Sequence, residues 1–127
     1  MLNIGILGFG FMGRMHFTAY TKRDDVRIVA LCDADLARIT DPNAGGNIPL
    51  GTGDFDFEGI EIFSDFDEML ANAKIDALSI TLPTFLHADF TCKALEQGIP
   101  VLCEKPMSLD LAGCDRMIAA EIGRAHV

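Results

Sequence analysis

Three glycines constrain this chain more than anything else in it. Gly8, Gly10 and Gly13 spell G-x-G-x-x-G, directly after the apolar run Leu2–Leu7 and directly before apolar residues at helical spacing. Strand, glycine turn and helix start, in that order, are the context in which this pattern means a dinucleotide-binding turn. Gly8 permits the tight turn, Gly10 leaves room for a pyrophosphate against the backbone, and Gly13 lets the helix close onto the strand. The helix N-terminus then offers free N–H groups and partial positive charge to phosphate. A glycine-rich turn with no ligand is the competing reading, because the pattern also arises by accident.

The rest of the chain decides between them. Phe11, Met12, Met15, Ala19 and Tyr20 recur at three- and four-residue spacing and predict a helix ending near Lys22 and Arg23. Residues 26–32 form a second apolar run, and residues 35–39 a short helix. Residues 40–59 are rich in glycine and proline and predict a long loop. Phe55, Phe57 and Ile60 alternate at its end, which fits a short strand or a packed loop end. Further strands are expected at 60–63, 75–82 and 100–103. The helices between them start at Ser64, capped by that serine, and at Thr84, as its cap. Gly98 closes the second of these as a C′ glycine. Ser108 is expected to cap a last helix carrying Leu111, Met117 and Ile118. Apolar strands alternating with helices imply an α/β fold with a doubly wound parallel sheet. Right-handed crossovers give the order 3-2-1-4-5, with five strands present. A full two-half version would add a sixth strand where this sequence stops.

At 127 residues the chain is long enough for one domain with a real core. Its net charge of −9 disfavours nucleic acid and anionic membrane surfaces as partners. No apolar run reaches the roughly eighteen residues of a membrane span. The start lacks the basic region of a signal peptide, so the chain reads as cytoplasmic. Cys32, Cys92, Cys103 and Cys114 contain no C-x-x-C pair, so buried free thiols are expected, with no metal site.

Three further stretches carry chemistry. Asp33 ends the second strand, twenty residues after Gly13. A carboxylate there accepts hydrogen bonds from the adenosine ribose and repels a 2′-phosphate, which favours NAD over NADP. Ala34 follows it where an arginine would argue for NADP, although Arg38 is near. Thr81, Leu82, Pro83 and Thr84 follow the fourth strand, at the point where the strand order reverses and ligands bind. His87 comes next and is within reach of the cofactor or a substrate. Glu104, Lys105 and Pro106 end the fifth strand at the same edge. Lys105 can polarise a substrate hydroxyl or carbonyl beside a nicotinamide. A cis Lys105–Pro106 bond would fix its place. His16 is expected to be structural, and Arg14 solvated.

Taken together, these stretches resemble the Gfo/Idh/MocA family of oxidoreductases. The likeness rests on Gly8-Phe-Gly-Phe-Met-Gly-Arg-Met-His16, Cys32-Asp33, residues 76–87, and residues 94–107 with their Glu-Lys-Pro. The resemblance implies a Rossmann domain over residues 1–120, with Gly8, Phe9, Gly10, Phe11, Met12 and Gly13 as its glycine turn. It also implies a hydride exchanged between NAD(P) and a sugar, cyclitol or related polyol in a homo-oligomeric enzyme, with Lys105 beside the nicotinamide. The family's proton-accepting histidine belongs to a C-terminal substrate domain that this sequence lacks. A non-catalytic dinucleotide sensor is the alternative, and it would have no need of Lys105. A methyltransferase would also have a glycine turn before an acidic strand end, but no role for Glu104-Lys105-Pro106. Residues 121–127 resemble a translated sequencing adapter and are expected to be a non-native tail. Resequencing the source gene decides this.

Overall fold

A computed structural model describes residues 1–41 and 55–125. In chain order the elements are β1 (Leu2–Leu7), α1 (Phe11–Thr21), β2 (Val26–Cys32), α2 (Ala37–Thr40), β3 (Glu61–Phe63), α3 (Phe66–Asn72) and β4 (Ala77–Ile80). A 3-10 turn (Thr84–Leu86), α4 (His87–Glu96), β5 (Val101–Cys103) and α5 (Leu111–Ala125) complete the chain. The strands make one parallel sheet in the order β3-β2-β1-β4-β5, the order expected. Residues 42–54 of the long loop, and His126 and Val127 of the expected tail, lie outside the described residues.

The sheet is covered on both faces because its strands are apolar on both. From β1, Ile4 and Ile6 point to one side and join Phe9, Phe17, Leu31 and Ile39 beneath α1. Leu7 points to the other side and joins Ala30, Cys32, Phe66, Met69, Leu78, Ile80 and Ala94 beneath α3 and α4. Burying an aliphatic or aromatic side chain of this size stabilises the fold by about 1.5–3 kcal/mol.

The glycine turn fixes how α1 sits. Gly8 has φ of +93°, and a Cβ on Gly13 would lie 2.1 Å from the Gly8 carbonyl oxygen. With Gly13 pressed against the end of β1, the residue one turn on, Phe17, must face the sheet. The buried residues of α1 are accordingly Gly13, Arg14 and Phe17. This corrects the apolar face expected from Phe11, Met12, Met15, Ala19 and Tyr20: Met15 is 39 % exposed and Ala19 is exposed.

Local chemistry moves several boundaries. Asp65, not Ser64, caps α3, accepting from the Glu68 N–H at 3.1 Å. Thr84 opens a 3-10 turn instead of capping α4 directly, because Pro83 sets an extended entry at φ −54°, ψ 146°. At the last helix Asp110 accepts from the Gly113 N–H at 2.8 Å, and the helix starts at Leu111, so Ser108 is not its cap. Gly98 has φ of +78° and closes α4 as expected. Phe55 and Phe57 form no strand; they stack in parallel and meet Phe9 and Phe17 edge-on. The helix α5 runs through Glu121 to Ala125. β5 pairs with β4 and, among the described residues, with no other strand; its Leu102 is 58 % exposed. Among the described residues no helix is long and apolar enough to cross a membrane.

The Gly13–Gly8 contact is testable. Gly13→Ala forces a Cβ into a main-chain oxygen, which has little room to retreat, and should destabilise the domain by about 1–3 kcal/mol in urea unfolding. Unchanged stability would contradict this close approach.

Candidate functional site

The C-terminal ends of β1, β2, β4 and β5 converge on one edge of the sheet. β1 leads into the glycine turn. Gly8 donates its N–H to the Cys32 carbonyl at 2.8 Å, and its φ turns the chain outward. A Cβ on Gly8 would meet the Leu82 N and Thr81 C at 3.0 Å, so the stretch after β4 closes directly on the turn. Thr81 locks that contact: its N–H donates to the Leu7 carbonyl at 2.9 Å, and its hydroxyl donates to the Gly8 carbonyl. Gly10 caps α1 with no side-chain hydrogen bond, and the first turn of α1 holds no acidic residue. The amides of Phe11, Met12 and Gly13 thus begin a helix whose N-terminal donors suit an external anion. A dinucleotide pyrophosphate fits this turn, where two glycines admit contacts that any Cβ would block.

Asp33 is 7 % exposed and ties β2 to the turn. One carboxylate oxygen accepts the Phe9 N–H at 2.8 Å and the other the Asp35 N–H at 2.9 Å. Each oxygen keeps lone-pair capacity for a ribose hydroxyl. Arg38 lies alongside: its Nη1 stands 3.5 Å from the place a Gly10 Cβ would occupy, and its Nε is 3.9 Å from Asp35. Burial and the adjacent Asp33 push the Cys32 thiol up to about 12, which makes it an inert core thiol. Cys92, Cys103 and Cys114 are free but only half-buried, so full burial of all four cysteines does not hold.

Arg14, expected to be solvated, is 5 % exposed. Its guanidinium donates to the Arg38 carbonyl and, at 3.1 Å, to the Asp41 carbonyl. It also stands over the rings of Phe9 and Phe55, at 5.0 and 5.2 Å. It thereby binds α2 and the Phe55 segment to the glycine turn. Burial lowers its pKa and Asp41 offsets part of that. No local pattern signals this, because one of the aromatic partners, Phe55, is distant along the chain.

On the other side of the turn, Pro83 is exposed and Thr84 is partly so. The Lys105–Pro106 bond is cis, as the sequence reading anticipated. Lys105 and Pro106 are exposed beyond β5 and Glu104 is half-buried beside them. His87 requires a correction. It is 1 % exposed, with Nδ1 at 2.8 Å from the Pro106 carbonyl and Nε2 at 2.7 Å from the Leu82 carbonyl. Neither ring nitrogen is left for a cofactor or substrate. The imidazole instead joins the stretch after β4 to the stretch after β5.

A second histidine does comparable work beneath the sheet edge. His16 Nε2 lies 2.8 Å from Glu104 Oε1, and Nδ1 lies 3.2 Å from the Ser79 hydroxyl. Tyr20, one turn further along α1, shares a hydrogen bond with the same hydroxyl. The signal was present as His16 and Tyr20 at i and i+4, and as the polar Ser79 inside an apolar strand.

The hydrogen bond from His16 is the main reason the Glu104 carboxyl sits below the ordinary glutamate value of 4.5; burial opposes it and the Lys105 N–H assists. A carboxyl depressed in the folded state stabilises the fold above its unfolded pKa and loses that contribution as pH falls through the folded value. Unfolding stability should therefore decline on acidification from about pH 5, and Glu104→Gln should flatten part of that decline. An identical pH profile for the variant would contradict the bond.

Comparison with known proteins agrees with this geometry. The sequence model described as "Oxidoreductase family, NAD-binding Rossmann fold" (Gfo/Idh/MocA) matches residues 2–126. An inositol 2-dehydrogenase from Arthrobacter sp. (strain FB24) is 35 % identical over 98 % of this chain and 34 % of the relative. Inositol 2-dehydrogenase 4 from Saccharopolyspora erythraea is 32 % identical over 95 % of this chain and 33 % of the relative. Among solved structures, scyllo-inositol dehydrogenase from Lactobacillus casei, with bound NAD(H) and scyllo-inositol, superposes with a TM-score of 0.81 at 28 % identity. That match covers all of this chain and 34 % of the other. The WlbA dehydrogenase from Bordetella pertussis, in complex with NADH and UDP-GlcNAcA, gives 0.81 at 25 % identity, over 98 % of this chain and 35 % of that one. The chain thus spans about a third of the length of the relatives it matches. With the family model matching nearly every residue, the chain belongs to the Gfo/Idh/MocA oxidoreductase family and has its NAD-binding Rossmann fold.

Proposed function

We propose that this chain is the cofactor-binding domain of an NAD-dependent dehydrogenase acting on a cyclitol, sugar or related polyol. The observation that carries the reading is the convergence of four strand ends on one edge. The glycine turn, Asp33, the Thr81–Thr84 stretch and Glu104-Lys105-Pro106 all lie there. The inositol dehydrogenases among the relatives support the polyol class.

In this reading the first-turn amides of α1 hold the pyrophosphate, with Gly8, Phe9, Gly10, Phe11, Met12 and Gly13 shaping the turn. Asp33 accepts from the adenosine ribose hydroxyls and disfavours a 2′-phosphate. The rim made by Thr81, Leu82, Pro83 and Thr84 on one side, and by Glu104, Lys105 and Pro106 on the other, borders the nicotinamide half. When bound, NAD supplies the hydride acceptor for a carbinol carbon. Lys105 orients the substrate hydroxyl and steadies negative charge that develops on its oxygen. A group outside this chain takes the hydroxyl proton. A full-length enzyme carrying this domain is read as a cytoplasmic homo-oligomer.

Calorimetric titration of the chain tests the cofactor assignment. NAD should bind more tightly than NADP. Asp33→Asn, which keeps an acceptor oxygen but removes the charge, should weaken NAD by roughly tenfold and narrow the gap to NADP. Tighter binding of NADP by the unaltered chain would overturn the role of Asp33. In a full-length enzyme carrying this domain, Lys105→Met should lower kcat for polyol oxidation by about a hundredfold or more. A variant that retains normal turnover would favour a non-catalytic binding role.

A further inference from the structure

The polar groups between α1, β4 and the end of β5 form one continuous hydrogen-bonded chain. The Tyr20 and Ser79 hydroxyls share a hydrogen bond, and the Ser79 hydroxyl meets His16 Nδ1 at 3.2 Å. His16 Nε2–H donates to Glu104 Oε1, and Glu104 Oε2 accepts the Lys105 main-chain N–H at 3.2 Å. With a neutral imidazole carrying its proton on Nε2, each link has one donor and one acceptor. Ser79 is fully buried at 0 % exposure, and the His16 and Glu104 side chains are 14 % and 21 % exposed. The chain is therefore largely out of water, where leaving one member unpaired is costly.

Its endpoints matter more than its burial. One end is α1, the helix whose first turn begins at the glycine motif. The other is the main-chain N–H of Lys105. β5 is only three residues long and sits at the sheet edge. After the Glu104 N–H donates to the Ile80 carbonyl at 3.0 Å, the ladder is over. From there the Glu104 side chain is what binds the strand's exit to α1, and His87, through Pro106, binds it to α4.

We propose that His16 is a positioning residue that acts through Glu104 to hold the Lys105 rim against the nicotinamide half of the bound cofactor. This rests on the dinucleotide-binding reading above. A residue that merely stabilised α1 would affect both halves of the cofactor alike. A residue that positions the Glu104–Lys105 exit should affect only the nicotinamide half.

The test compares NAD with ADP-ribose, which keeps the adenosine, both phosphates and both riboses but lacks the nicotinamide. Each is titrated calorimetrically into the same 127-residue chain. The unaltered chain should prefer NAD. His16→Ala should weaken NAD by roughly five- to tenfold, about the net worth of one hydrogen bond, and leave ADP-ribose within about twofold. His16→Gln, whose amide N–H can reach Glu104, should recover most of the NAD affinity; it also serves if the alanine variant does not fold. The double variant His16→Ala, Glu104→Ala should be no weaker for NAD than the worse single variant. Parallel loss of NAD and ADP-ribose, unchanged binding of both, or no preference for NAD in the unaltered chain would each overturn the proposal. Failure of the unaltered chain to bind either ligand would instead refute the dinucleotide-binding reading, and this inference with it.

Discussion

The contact of Gly13 with the Gly8 carbonyl sets the rest of the molecule. A Cβ at Gly13 would lie 2.1 Å from that oxygen, so only glycine allows α1 to descend this far onto the end of β1. The descent has three consequences. It aims the first turn of α1 at the sheet edge. It turns Phe17 into the core beneath Ile4 and Ile6. It also brings Arg14, His16 and Tyr20 close enough to the sheet for their polar atoms to be used as fasteners. Arg14 holds α2 and the Phe55 segment, while His16 and Tyr20 hold β4 and the end of β5.

The site edge is thus a set of short strand ends held by side chains instead of by sheet ladder. β4 has four residues and β5 three, so their exits have few backbone bonds to fix them. Two histidines supply that order from opposite sides. His87, from α4, lies within hydrogen-bond distance of the Leu82 and Pro106 carbonyls; His16, from α1, lies within hydrogen-bond distance of Ser79 and Glu104. Asp33 does the same for β2, with both carboxylate oxygens on main-chain N–H groups. Groups that would read as ligand contacts in isolation are partly spent on organising the site, and the exposed Lys105 is left facing solvent at its rim.

The strand order and the site edge were legible in the sequence because they depend on local signals: apolar runs, glycine spacing, and polar residues just past each strand. Asp33 and Lys105 lie just past strands 2 and 5, where the sequence pattern put them. The buried face of α1 was not legible. Counting apolar residues favours Met12 and Met15, but the backbone contact at Gly13 fixes the helix rotation, and no periodicity encodes a contact between two glycines. His87 was misread for a related reason: helical position predicts reach, whereas its partners are carbonyls of Leu82 and Pro106, which carry no side-chain signal. Arg14 failed likewise, since a charged residue next to a glycine motif reads as solvated until Phe9 and Phe55 are brought around it. The caps at Ser64 and Ser108 gave way to Asp65 and Asp110, one and two residues on, where the aspartate oxygen meets the helix N–H.

Binding of NAD as proposed requires the four strand ends to form a single cleft for one dinucleotide. Amide-resolved NMR of the chain titrated with NAD tests it most directly. Residues 8–13, 33–35, 81–84 and 104–105 should all shift and saturate together at one NAD concentration. Shifts confined to one of these stretches, or saturating at different concentrations, would contradict a single cleft, as would shifts centred on the exposed face of α5.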